Sequence, residues 1–233
     1  MEVFVTSIKE KYQERLINRE KQWPPCHSDR LVRLELVERR KGEGYSANQL
    51  RGREDQGIKR IPLAYSDLFK VKSGKKPVRK VLVEGDAGIG KTTLCTSVSE
   101  DWANDKLFQQ FELLLLLPLR HKKVASAGSL PELLKLLHCN QKVCSSVADY
   151  LEENEGKKAL IIADGWDELS ESEQLEGSFL HDLLFGELFP FVSVVLTSRP
   201  SASAPLHRLP YICLLYTSPS PRDATLSRMP SSA

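Results

Sequence analysis

The chain has no excess of either charge, no closely paired cysteines, no histidine cluster at zinc spacing and no long apolar run. Each absence removes a class of function. With 33 basic and 31 acidic residues the formal net charge is +2, so no strong field draws the protein to nucleic acid or to a membrane surface. Cys26, Cys95, Cys139, Cys144 and Cys213 are scattered without a C-x-x-C pair, which argues against a disulfide framework or structural zinc and fits a reducing compartment. The most apolar stretch, LLLLLPL at 113–119, is far shorter than the ~20 residues a membrane helix needs. The N-terminus, MEVFVTSIKEKYQERL, is charged too early and too often for a signal peptide. The expectation is a cytoplasmic protein that neither inserts into a membrane nor binds nucleic acid.

What is present is an ordinary globular composition, 41% hydrophobic and 27% charged over 233 residues. That is room for one large α/β domain, or a medium one with extensions. In residues 1–22, Phe4, Ile8, Tyr12 and Leu16 recur every fourth position and predict an amphipathic helix that WPP at 23–25 ends. Its stripe suits its own domain better than a partner. LVRLELVE (31–38) reads as a short strand, and a polar, glycine-containing loop follows it before the basic turn KSGKKPVRK. From residue 80 apolar runs alternate with helical stretches. Strands are expected at 80–84, 112–119, 158–164 and 191–199. Helices are expected at 91–105, across LPELLKLLH and VCSSVADYLEEN, and around 170–186. Uninterrupted apolar strands are buried on both faces, which indicates a parallel sheet between helical layers. No internal repeat is visible.

Three motifs fall at the ends of these strands. Gly85-x-x-x-x-Gly90-Lys91-Thr92 is a complete P-loop between a strand and a helix. Its glycines, with Asp86, Ala87 and Ile89 between them, let backbone N–H groups turn toward phosphate oxygens, and the helix start adds its positive end. Lys91 is expected to reach the β- and γ-phosphates, Thr92 to ligate Mg²⁺, and Thr93 to hold the α-phosphate region. ALIIADGWDEL (159–169) carries Asp164 to a strand end opposite Thr92, where a carboxylate holds the water shell of the ion. Asp167 and Glu168 are placed to orient or deprotonate a water, although acids there also favour a following helix start. VVLTSRPSA (194–202) brings Arg199 to the same edge, either as a γ-phosphate sensor or as a salt-bridge partner of a local carboxylate.

The strand inserted between the P-loop strand and the Asp164 strand points to ATPases in which an acidic residue activates water. No NKxD or LSGGQ-like stretch is present, which weighs against GTPases and transporter ATPases. GDAGIGKTTL, LIIADGWDEL with Gly165 after the magnesium aspartate, and VVLTSRPSA together resemble a NACHT domain, the nucleotide-binding module of NOD-like receptors within the STAND class. The resemblance covers about 78–212, after a 1–77 segment like the lead into NACHT domains of animal receptors. It implies a three-layer P-loop NTPase fold of mostly parallel strands, expected in order 5-1-4-3-2 with the fifth cut short. It further implies an ATP- or ADP-bound, Mg²⁺-dependent switch with slow hydrolysis. Such switches self-associate into a signalling platform, often in innate immunity. Gly85, Gly88, Gly90, Lys91, Thr92 and Thr93 would form the Walker A site, Asp164, Asp167 and Glu168 the Walker B site, and Arg199 the first sensor. A remodelling ATPase and a nucleotide-independent scaffold are the rival readings.

After Ile212 the character changes. CLLYTSPSPRDATLSRMPSSA resembles a translated sequencing adapter, so 213–233 is expected to be a disordered artefact on a chain that naturally continues. Removing Arg222, Arg228 and Asp223 with it leaves the charge balanced.

Overall fold

A run of leucines or valines with no polar break can only be a strand if both of its faces are covered, and four such strands form the centre of this protein. The computed structural model describes residues 2–22, 33–37, 60–70, 72–73, 76–137, 141–174, 176–203, 205–206 and 212–218. The central strands are β5 (Lys80–Glu84), β6 (Leu113–Pro118), β7 (Ala159–Asp164) and β8 (Ser193–Ser198). Every residue of β7 and β8 is buried, as are Leu113 to Leu117 of β6, so helices cover both faces. Each fully buried leucine in these rows contributes about 1.5–3 kcal/mol.

The remaining strands are β1 (Arg33–Val37), β2 (Arg60–Leu63), a two-residue hairpin of β3 (Lys72–Ser73) with β4 (Lys76–Pro77), and β9 (Ile212–Ser218). The sheet order is β2-β1-β9-β5-β8-β7-β6. From β9 to β6 all pairings are parallel, and the order of those five is the expected 5-1-4-3-2. β1 closes antiparallel on β9 and pairs β2 beyond it.

Two expectations need correction here. The fifth strand is not cut short, and residues 213–218 are not a disordered tail. Ile212–Ser218 lies in register along β5, with Leu82 opposite Leu214. An exposed β5 edge presents a row of unpaired backbone groups, and ICLLYTS is rich in the apolar, aromatic and β-branched residues that suit such an edge. Residues 219–233, WPP at 23–25 and all of the polar loop of 39–60 except Arg60 lie outside the described residues.

The helices are α1 (Glu2–Gln22), α2 (Lys91–Ala103), α3 (Lys122–Ala125), α4 (Leu130–Leu137), α5 (Gln141–Glu153) and α6 (Phe179–Phe185). α6 is much shorter than the stretch expected around 170–186. Ser178 caps it by accepting the His181 N–H at 3.2 Å, and Gly186, at φ 81°, stops it. Among the described residues, no helix is long and apolar enough to cross a membrane.

The α1 stripe is used internally. Phe4, Ile8 and Tyr12 are buried, while Leu16 is only partly so. α1 lies on α2 and α5, and Gln13 donates to the Ala103 carbonyl at 2.8 Å. Tyr12 does more than fill space. β6 ends the sheet, so alternate N–H groups along it face away from β7, and the Tyr12 hydroxyl accepts the N–H of Leu116 at 3.0 Å. Burial pushes the Tyr12 phenol up to about 12, so it remains a neutral hydroxyl. Tyr12→Phe leaves that strand-edge donor unpaired and is expected to lower stability by about 1–3 kcal/mol, measured by urea unfolding.

Candidate functional site

The carboxyl ends of β5, β7 and β8 lie side by side in the sheet, so the residues that follow them meet in space. A cleft of about 280 Å³ opens there, lined by Ala87, Gly88, Gly90, Lys91, Thr92 and Thr93 on one side and by Asp164, Gly165, Asp167, Glu168 and Arg199 on the other. Motifs separated by more than a hundred residues thus form one site.

The loop after β5 turns sharply into α2. Gly90 has φ 103°, a left-handed conformation that a side chain would strain, and its carbonyl accepts the Leu94 N–H at 2.9 Å to close the first helical turn. Gly85 is anchored to β8 through its N–H and the Ser198 carbonyl, 3.2 Å apart. Lys91 folds back over the loop, donating to the carbonyls of Gly85 at 2.6 Å and Asp86 at 2.9 Å. Burial holds its amine below the ordinary lysine value, and Arg199 pushes the same way while Asp167 and Asp164 oppose. Gly85 and Asp86 meet Lys91 through their carbonyls but do not line the cleft, and neither does the half-buried Ile89.

Asp164 ends β7 and is 8% exposed. Its Oδ1 accepts the Thr197 hydroxyl at 2.8 Å and faces the Cys95 thiol at 3.8 Å. Burial, followed by the charge of Asp164, raises the Cys95 thiol well above its usual value, so it stays protonated. Gly165, at φ 96°, then turns the chain into a short 3-10 turn, Trp166–Glu168. Trp166 is buried edge-on against Phe185, with ring centroids 5.6 Å apart, which pins the turn.

The two acids of that turn differ. Asp167 accepts the Arg199 backbone N–H at 3.0 Å on Oδ1 and the Arg199 Nε at 2.9 Å on Oδ2. The salt-bridge reading of Arg199 thus describes this arrangement, although half of the arginine side chain remains exposed on the cleft. Glu168 is exposed and lines the cleft. The sequence reading missed Thr197 and Cys95 as partners of Asp164. A threonine directly after the apolar Val194, Val195 and Leu196 and two residues before Arg199 was the available signal, because alternate strand residues share a face.

The residues fit a nucleotide with its divalent cation. A loop with left-handed glycines, a helix start and an ammonium converge on one side, and a buried carboxylate with one oxygen already bonded stands on the other.

A glycine loop joining strand to helix, faced by a strand-end aspartate in a 5-1-4-3-2 sheet, defines a P-loop NTPase. Residues 79–212 match the NACHT domain, and the chain belongs to that family. It is similar to human "NACHT, LRR and PYD domains-containing protein 12", 30% identical over 66% of this chain and 16% of that protein. Mouse "Protein NLRC5" is 35% identical over 60% of this chain and 8% of its own length. Mouse "NACHT, LRR and PYD domains-containing protein 3" is 30% identical over 61% and 15%. The chain thus spans less than a fifth of the length of these relatives. A looser likeness, to "Structure of C. elegans PCH-2", covers 64% of this chain and 38% of that one at 17% identity and a TM-score of 0.34; the fold rests on the strand order instead. The NACHT assignment makes this a nucleotide-binding NTPase module.

Proposed function

We propose that the module binds ATP or ADP with Mg²⁺ and acts as a nucleotide-dependent switch for self-association within a cytoplasmic, innate-immune type of receptor. The observation that carries this reading is the Arg199–Asp167 pair at the cleft mouth. A guanidinium tied to the turn that bears the acidic residues, yet half exposed, can exchange that carboxylate for a terminal phosphate. The exchange would couple phosphate occupancy to the position of the 166–168 turn, which is what a switch needs.

In this reading Lys91 and the loop N–H groups hold the phosphates, Thr92 and Asp164 hold the ion, which screens phosphate charge, and Glu168 orients the attacking water. Asp167 is assigned to Arg199 rather than to the water: its Oδ1 keeps the Arg199 backbone N–H when the guanidinium leaves Oδ2 for phosphate. A single base, exposed to solvent, supports slow hydrolysis. Glu168→Gln is expected to lower the hydrolysis rate about a hundredfold and to leave nucleotide affinity unchanged, measured by phosphate release and by titration with a fluorescent nucleotide. Turnover of many per minute by the unaltered protein would sink the switch and favour a remodelling ATPase.

A further inference from the structure

We propose that Thr197 is the positioning residue that sets the Asp164 carboxylate for the divalent cation, an inference that rests on the nucleotide-binding reading of this cleft. Thr197 is fully buried and follows the apolar Val194, Val195 and Leu196 in β8. A hydroxyl in such a place is costly unless both its donor and acceptor capacities are used. Here both are. Its oxygen accepts the Gly165 N–H at 2.9 Å, and it donates its one proton to Asp164 Oδ1 at 2.8 Å. The first bond holds the strand exit and the second holds the carboxylate that the exit presents.

The direction of the second bond matters. A hydroxyl carries one proton, and with Gly165 as donor to its oxygen, that proton is committed to Asp164. The Cys95 thiol, 3.8 Å away, falls on the same Oδ1. Oδ2 receives neither contact, so the carboxylate is oriented with one oxygen tied to the protein. An ion or its water shell would meet the other oxygen without first having to order it. Without Thr197 only the weak, long contact of the Cys95 thiol restrains the Asp164 carboxylate about its last bond, and Gly165, which follows it, has no side chain to help.

The test uses the chain with Thr197→Val, which keeps the shape and removes the hydroxyl, and Thr197→Ser, which keeps the hydroxyl. A fluorescent adenosine diphosphate analogue is titrated with and without Mg²⁺, and Mg²⁺ is titrated at fixed analogue. The valine variant is expected to need about tenfold more Mg²⁺ for half-maximal stabilisation of the complex. Its affinity for the analogue in chelator should match that of the unaltered chain, and serine should restore the Mg²⁺ dependence. Should the valine variant not fold, Thr197→Ala supplies the same deletion. An unchanged Mg²⁺ requirement, an equal loss of analogue with and without Mg²⁺, or failure of serine to restore it overturns the positioning role. An unaltered chain that binds no analogue overturns the nucleotide reading itself.

Discussion

Lys91→Ala abolishes measurable nucleotide binding, lowering affinity by about a hundredfold or more, while the chain still folds. The ammonium is the only full positive charge that the loop carries into the cleft, and charge-assisted bonds to phosphate oxygens are worth about 1.5–3 kcal/mol each. Two such bonds account for the loss. The effect on stability is small because two changes oppose. The substitution removes bonds to the Gly85 and Asp86 carbonyls, and it also removes a charge that burial disfavours. The sign follows from the lowered value. The folded chain releases this proton more readily than the unfolded chain, so the penalty is present below the folded value and fades as pH rises through it. Isothermal titration and thermal unfolding of the same preparation check both halves. Binding within a few-fold of the unaltered chain would assign the phosphate grip elsewhere, and with it the case against a nucleotide-independent scaffold would fall.

The sheet was legible because each central strand is built on an apolar run of three residues or more. KVLVE, LLLLLP, ALIIAD and SVVLTS sit where the pattern places them, within a residue or two at the ends. The cleft was legible because a P-loop and a strand-end aspartate carry their geometry in their spacing. Pairings between distant groups were not. That Thr197 reaches Asp164 depends on β7 lying beside β8, and that Asp167 takes Arg199 depends on the turn that follows Gly165. Local pattern offered a threonine on the strand and a salt bridge for Arg199, but not which carboxylate each would meet. The fifth strand was expected, but its run past residue 212 was not: an abrupt change of composition there said nothing about the open edge of β5 that these residues fill. The α1 stripe was read correctly as internal, but its use of a tyrosine hydroxyl to satisfy the edge of β6 could be seen only once β6 was known to end the sheet.

The largest stability effect is expected at Trp102, where the N-terminal helix and the nucleotide-binding core join. The side chain is 1% exposed, donates from its indole to the Phe111 carbonyl at 2.8 Å, and meets Tyr12 edge-on with ring centroids 6.4 Å apart. Lys9 lies over its ring at 5.2 Å. Trp102→Ala opens a cavity beneath α1, leaves the Phe111 carbonyl without this donor and loosens Tyr12 from Leu116, so a loss of about 3–5 kcal/mol is expected in urea unfolding. Against a total of about 5–15 kcal/mol for an ordinary domain, that is enough to leave a marginal chain partly unfolded. Combining it with Tyr12→Phe tests how α1 is joined. If helix and sheet are one cooperative unit, the double variant loses less than the two separate losses together, because loosening Tyr12 has already weakened the bond that the second change deletes. Additive losses would mean that α1 is merely docked. Trp102 and Lys91 also stand at opposite ends of α2, so a ligand that binds only the folded chain must recover part of what the tryptophan substitution removes. At a hundredfold excess over its dissociation constant the recovery is about 2.7 kcal/mol. Nucleotide with Mg²⁺ should therefore restore Trp102→Ala but not the same chain carrying Lys91→Ala as well.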